Sequence, residues 1–112
     1  MKFHVSIEEA IKQLEKEEHN RFTVLMKQGT MSIEYYAPKY IDPQNSHQQD
    51  EIYVIASGSA TFFRNGERVQ CKKGDVLFVP AQMEHRFEKF SDDFATWVIF
   101  YGPEGGETDN SG

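Results

Sequence analysis

The sequence predicts one all-β domain, a barrel or a sandwich, preceded by a short helix. From residue 21 onward, runs rich in β-branched and aromatic residues recur between turn signals, which is the pattern of an all-β sandwich or barrel. The chain has 112 residues, and its nine Phe, five Tyr and one Trp supply enough apolar area to fill one interior. We therefore divide the chain into a helical segment over residues 1–20, a β-barrel over 21–103 and a flexible tail over 104–112.

A short amphipathic helix is predicted over residues 7–17. Ser6 and Glu9 have the spacing of a capping box, in which each side chain satisfies a free backbone donor of the first turn. The apolar residues at helical spacing are Ile7, Ala10, Ile11 and Leu14. Because this stripe is narrow, we expect the helix to lie across the barrel as a lid or as a dimer contact.

Eight strands are predicted after the helix. They span residues 21–27, 30–37, 51–57, 60–64, 67–71, 76–79, 85–90 and 94–101. The clearest connection is Asn65-Gly66, because both central residues of a type I′ hairpin turn need positive φ. Residues 38–46 are polar and contain two prolines, which favours a loop, and the residues after 103 are rich in Gly, Ser and acidic side chains, which favours disorder.

Charge and cysteine content exclude several classes of protein. The formal net charge of −6 and the pI of about 5.1 disfavour binding to nucleic acid or to an anionic membrane surface. No apolar run reaches the length of a signal peptide or a membrane span. The single cysteine, Cys71, excludes an internal disulfide and fits a reducing compartment. Lys72 and Lys73 favour a slightly lowered pKa for its thiol, but we expect a structural role. We expect a soluble cytoplasmic protein.

A histidine and a carboxylate are predicted to share one face of the segment over residues 45–55. In an extended chain, residues of one parity lie together. The polar members of this face are Asn45, His47, Gln49 and Glu51. Burial of a His and a Glu on one face is costly unless they are paired or bind a metal ion. Metal ligation offsets that cost directly.

A second histidine follows at the end of a predicted hairpin. His85 comes 34 residues after Glu51, behind the buried strand 76–79 and a turn that contains Pro80. Such a hairpin can return His85 to the side of the first strand. Two imidazoles and one carboxylate suit a site for Fe(II), Mn(II), Ni(II) or Zn(II).

These two segments resemble the two motifs of the cupin superfamily. The first motif runs Gly-x5-His-x-His-x3–4-Glu-x6-Gly, and His47, Glu51 and Gly58 match most of it. The second runs Gly-x5-Pro-x-Gly-x2-His-x3-Asn. It is matched in order by Gly74, Pro80 and His85. The resemblance covers roughly residues 30–101 and implies a double-stranded β-helix, the cupin jelly-roll barrel, with a divalent metal ion inside it and pairing as a homodimer.

The chain also departs from both motifs. Lys39, Gln82 and Lys89 stand at two Gly positions and at the closing Asn, respectively, and Asn45 stands at the first metal-binding His. The resemblance therefore transfers the ligands His47, Glu51 and His85. The fourth ligand remains open between Asn45 through its amide oxygen, a water molecule, and Gln49.

The resemblance leaves the function open between an enzyme and a binding module. A metal-dependent cupin enzyme would act on a small organic molecule as a dioxygenase, isomerase or epimerase, with Glu51 either a ligand or a base. The alternative is a non-catalytic module that binds a small molecule or a sugar. A third hypothesis is a structural dimerisation domain whose barrel is filled by side chains.

Overall fold

The computed structural model describes residues 2–17, 20–43 and 46–108. The helix and strands in these ranges are α1 Ile7–Glu15, β1 Phe22–Gln28, β2 Met31–Tyr36, β3 Asp50–Ser57, β4 Ser59–Arg64, β5 Glu67–Lys72, β6 Val76–Val79, β7 His85–Glu88 and β8 Ala95–Tyr101. The strands pair antiparallel, in a five-stranded sheet of order β1-β2-β8-β3-β6 and a three-stranded sheet of order β5-β4-β7. All eight predicted strands are present, and their ends differ from the prediction by at most two residues. The expectation that strand 76–79 is buried is wrong, because Val76 and Phe78 are exposed and only Val79 is buried. The all-β expectation is confirmed.

An aromatic core joins the two sheets. The rings of Tyr53 on β3 and Phe62 on β4 each lie 4.9 Å from the ring of Phe87 on β7, and Phe94 lies 4.8 Å from Phe87 on the far side. The contacts are T-shaped or tilted, the arrangements that ring quadrupoles favour. Since Tyr53 belongs to the five-stranded sheet and Phe62 and Phe87 to the other, the inner faces of the two sheets pack against each other.

The helix packs on the outer face of the five-stranded sheet. Its N-cap is Ser6, whose hydroxyl accepts a hydrogen bond from the Glu9 backbone N–H at 3.1 Å, as the capping box predicts. Ala10 is fully buried in a cluster with Tyr35 and Ala95. Tyr35 alternates with core residue Tyr36, so it points outward, and the expectation of a lid over the barrel is wrong. The role of the helix as a dimer contact stays a prediction. No helix within the described ranges is long and apolar enough to cross a membrane.

Within the described ranges, left-handed backbone occurs at the predicted Asn65-Gly66 turn and at three further residues that are not glycine, Tyr40, Gln82 and Lys89. Asn65 and Gly66 have φ of 47° and 89°, which confirms the predicted hairpin turn. Gln82 and Lys89 have φ of 67° and 48°. These are the places at which the cupin motif has Gly and Asn, the residues that adopt this conformation with the least strain. At both positions the chain therefore adopts the left-handed conformation although the residue is neither Gly nor Asn.

The first residues of the expected tail are hydrogen-bonded to the barrel. The Gly105 N–H donates to the Gln48 carbonyl at 2.7 Å, and the Glu107 N–H donates to Asp50 Oδ2 at 2.8 Å. Residues 109–112 lie outside the described residues. Flexibility over residues 104–112 stays a prediction. A deletion that removes these two hydrogen bonds would test it.

Candidate metal centre

Three side chains from different parts of the fold converge inside the barrel. Glu51 is the second residue of β3, in the five-stranded sheet, and His85 is the first residue of β7, in the three-stranded sheet. His85 Nε2 lies 2.8 Å from Glu51 Oε1, and His47 Nε2 lies 3.9 Å from the same oxygen. One ligand atom from each of the three lies within 4.8 Å of the others. The meeting of the two motifs predicted from sequence is therefore present.

His47 reaches the cluster from a loop rather than from a strand. β3 begins at Asp50, so the extended strand predicted over residues 45–55 is wrong for residues 46–49, and residue 45 lies outside the described residues. The His47 ring packs at 5.0 Å against Phe100, and the His47 carbonyl accepts a hydrogen bond from the Gln82 N–H at 2.6 Å. These contacts hold the imidazole beside Glu51 without strand pairing.

The two residues considered for a fourth ligand have different outcomes. The Gln49 amide nitrogen donates to the carbonyls of Thr30 and Gly102 at 2.8 and 2.9 Å. Because this amide ties together two strand ends, we leave Gln49 out of the proposed ligand set. Asn45 lies outside the described residues, and its role as a ligand stays a prediction.

The His85 ring is oriented by a backbone carbonyl. Its Nδ1 lies 2.8 Å from the Met83 carbonyl oxygen, which can only accept a hydrogen bond, so Nδ1 carries a proton. In the neutral ring, Nε2 then presents a lone pair to the Glu51 carboxylate. A backbone carbonyl on the second nitrogen is the usual support of a metal-binding histidine.

The buried polar atoms of this pair lack hydrogen bonds. Both Glu51 oxygens and His85 Nε2 are buried, and none makes a hydrogen bond of acceptable geometry within the described residues. A lone pair and a carboxylate oxygen that face each other inside a protein need a proton or a cation between them. The donor set of two imidazoles and one carboxylate therefore fits a divalent transition-metal ion.

The two histidines have opposite pKa shifts. Burial lowers the pKa of His47 and outweighs the attraction of Glu51, so its ring is neutral and able to act as a ligand. Burial also acts to lower the pKa of His85, but the carboxylate of Glu51, whose Oε1 lies 2.8 Å from Nε2, and the Met83 carbonyl outweigh it, and that pKa is raised. A proton and a metal ion would therefore compete for the same place beside Glu51.

A cavity of about 340 Å³ opens beside His47. Its wall is formed by Phe22, Glu34, Tyr36, Pro43, His47, Val98 and Phe100. The Tyr36 hydroxyl donates a hydrogen bond to buried Asp42, and burial together with this bond raises the pKa of Tyr36 well above its usual value. The phenol therefore stays neutral, and its hydroxyl is held by Asp42.

Glu34 is a residue of this site that the sequence analysis missed. Burial, and then the negative charge of Glu51, raise the pKa of Glu34, while Lys27 lowers it to a smaller extent. The signal in the sequence was parity, because Glu34 and Tyr36 alternate with Ile33 and Tyr35 along one strand. Parity alone does not say which of the two sets faces inward.

Residues 32–101 match the sequence profile of the cupin domain, which is more than half of the chain. This chain belongs to the cupin family. The uncharacterized protein SCO3923 of Streptomyces coelicolor is 36% identical over 81 residues, which cover 70% of this cupin and 77% of that protein.

Two further proteins resemble parts of this cupin. The HTH-type transcriptional activator RhaS of Yersinia pestis is 32% identical over 74 residues, and the match covers 66% of this cupin but only 27% of RhaS. The crystal structure of a Cupin 2 conserved barrel domain protein from Salinispora arenicola superposes with a TM-score of 0.61 at 20% identity, covering 72% of this chain and 74% of that one. The jelly-roll fold expected from the two motifs is confirmed.

Proposed function

We propose that this cupin binds one divalent transition-metal ion, of Fe, Mn, Ni or Zn, through His47, Glu51 and His85, and that it acts on a small organic molecule in the adjoining cavity. The observation that supports it most strongly is the buried Glu51–His85 pair, whose facing atoms lack hydrogen bonds within the described residues. A set of two histidines and one carboxylate leaves coordination positions free for a substrate.

The residues around the proposed ion have different roles in orienting its ligands and in excluding water. When bound, a divalent ion supplies Lewis acidity toward a carbonyl or an enediol of the substrate. The Met83 carbonyl keeps His85 in the tautomer that presents Nε2, and Phe100 holds His47 in place. The apolar cavity wall excludes water from the reacting group. We leave the reaction open between dioxygenase-, isomerase- and epimerase-like chemistry.

The metal proposal is tested by elemental analysis of protein purified without added metal. We expect about one divalent ion per chain in the wild type and near-complete loss in Glu51→Gln, which keeps the shape of the side chain. His85→Ala provides a second loss of a ligand. His4→Ala, at an exposed histidine, is the matched control and should retain the ion. Equal metal content in all four proteins, each shown to be folded by circular dichroism, would remove the site.

A non-catalytic binding module is the second candidate, because the chain matches part of a transcriptional activator. In that case a small molecule or a sugar would occupy the cavity without being converted. A screen of small organic molecules against metal-loaded protein separates the candidates. Product formation that depends on the metal supports the enzyme, and a raised melting temperature without turnover of any stabilising compound supports the module.

A homodimer and a cytoplasmic location also remain proposals. The homodimer is proposed because small single-domain cupins commonly form homodimers. The cytoplasmic location is proposed because the chain has a single cysteine, Cys71. Light scattering coupled to size-exclusion chromatography would measure the mass of the assembly. A monomeric mass at micromolar concentration would contradict the first proposal.

A further inference from the structure

The wall of the cavity combines aromatic rings with one carboxyl group. Phe22, Tyr36 and Phe100 contribute rings, Val98 and Pro43 add aliphatic surface, and Glu34 is the carboxyl. No Lys or Arg belongs to this wall as the described residues form it. An anionic ligand, such as a sugar phosphate, would therefore meet a carboxylate and no cationic Lys or Arg side chain in this wall.

The Glu34 carboxyl forms no ion pair or hydrogen bond with another of the described residues. Only burial and two charges, those of Glu51 and Lys27, affect its pKa, and no hydrogen bond to it is present within the described residues. Glu34 is also not among the three residues whose atoms lie within ligand distance of one another. An ion held by those three residues would occupy Glu51 and leave Glu34 available.

We propose that the cavity takes a small organic cation, whose charge pairs with Glu34 and whose apolar body lies against the aromatic rings. This inference rests on the proposed use of the cavity as the substrate site. Aromatic faces attract cations through the ring quadrupole, and the attraction grows when the ion is shielded from water. A carboxylate in the same wall adds a direct charge partner.

Two other charge classes of ligand are less well matched to this wall. A neutral ligand would leave the Glu34 carboxyl without a charge partner, and burial raises the pKa of that carboxyl. A cation gains an ion pair with it in a partly desolvated place. An anion is repelled by Glu34 and meets no Lys or Arg of the wall as the described residues form it, so the wall favours it least of the three classes.

Three probes of similar size and different charge test the proposal. Benzylammonium, benzyl alcohol and benzoate each carry one phenyl ring and one polar end. Binding to isotope-labelled protein is followed by NMR at pH 7, with the shifts of Phe22 and Phe100 used to place each probe in the cavity. Each titration is run on the protein as purified and again after chelation, because benzoate can also bind a metal ion directly.

The wild type should bind benzylammonium about tenfold more tightly than benzyl alcohol, with benzoate weakest. Glu34→Gln should reduce the preference for the cation to about twofold or less. Glu67→Gln removes the same charge from an exposed residue of β5 and should keep the full preference. Melting curves of both variants establish that they are folded.

The proposal is overturned if benzyl alcohol, or benzoate after chelation, binds the wild type as tightly as benzylammonium. It is also overturned if Glu34→Gln keeps the preference, or if benzylammonium causes no shifts in the cavity at millimolar concentration. The metal proposal fails separately. Protein that holds no metal as purified and still selects the cation through Glu34 would contradict the metal centre alone. Metal-loaded protein without selectivity would contradict this inference alone.

Discussion

Gly58 closes the first cupin motif, and the structure gives a physical reason for that glycine. Its φ is 73°, in the left-handed region, which costs a residue with a Cβ about 1–2 kcal/mol. A Cβ added there would lie 2.8 Å from the Phe94 Cα and 2.7 Å from Asp93 Oδ1. The Phe94 backbone is fixed by the core, so Gly58→Ala also carries an overpacking cost of about 1–3 kcal/mol. We expect Gly58→Ala to lower the free energy of unfolding by about 2–5 kcal/mol.

Gly29 is the matched control for this substitution. It also has positive φ, 58°, but a Cβ there would meet no atom within 4 Å. Gly29→Ala should therefore show the conformational cost alone, about 1–2 kcal/mol. Urea denaturation of both variants measures the difference. If Gly58→Ala costs no more than Gly29→Ala, the close packing of the β3–β4 junction against Phe94 is refuted.

Three further predictions concern stability and reactivity. Gln82→Gly should raise the free energy of unfolding by about 0.5–1 kcal/mol, because it removes the Cβ strain of a left-handed residue, a gain that the greater entropy of the unfolded glycine chain partly offsets. A lower free energy of unfolding, measured by urea denaturation, would contradict this. Burial and then the charge of Asp75 raise the pKa of Cys71 to about 11. At pH 8 the thiol of the native protein should therefore react with iodoacetamide at least about a hundredfold more slowly than the thiol of unfolded protein. Equal rates would show that the native thiolate is exposed. Deletion of residues 104–112 removes the two backbone N–H groups that donate to the Gln48 carbonyl and to buried Asp50, and should lower the free energy of unfolding by about 1–2 kcal/mol. An unchanged urea midpoint would instead support a flexible tail.

The local parts of the fold could be predicted because their causes are local. The capping box at Ser6 and the turn at Asn65-Gly66 each depend on side-chain chemistry within a few residues. Strand positions followed from β-branched and aromatic runs between such turns. The meeting of His47, Glu51 and His85 could be predicted because the two segments that contain them resemble the two motifs of a family of known fold. The resemblance supplied the long-range pairing that periodicity does not contain.

The parts that could not be predicted depend on which face of a strand is covered by another element. Alternation placed Glu34 and Tyr36 on one side and Tyr35 on the other, but both sides are partly apolar, and only the helix and the second sheet decide which is inside. For the same reason the helix was expected as a lid. The raised pKa of Cys71 was also missed, because the neighbouring lysines predicted the opposite direction and burial decided it.

Nitrogen-15 NMR of the histidine rings during titration with Zn²⁺ tests the proposed metal centre most directly. We expect Nε2 of both His47 and His85 to shift to the range of a metal-bound nitrogen, with the change complete at one equivalent of Zn²⁺. Nδ1 of His85 should keep its proton and its hydrogen bond to the Met83 carbonyl. Ring nitrogens of His47 and His85 that stay unshifted at one equivalent of Zn²⁺ would contradict it.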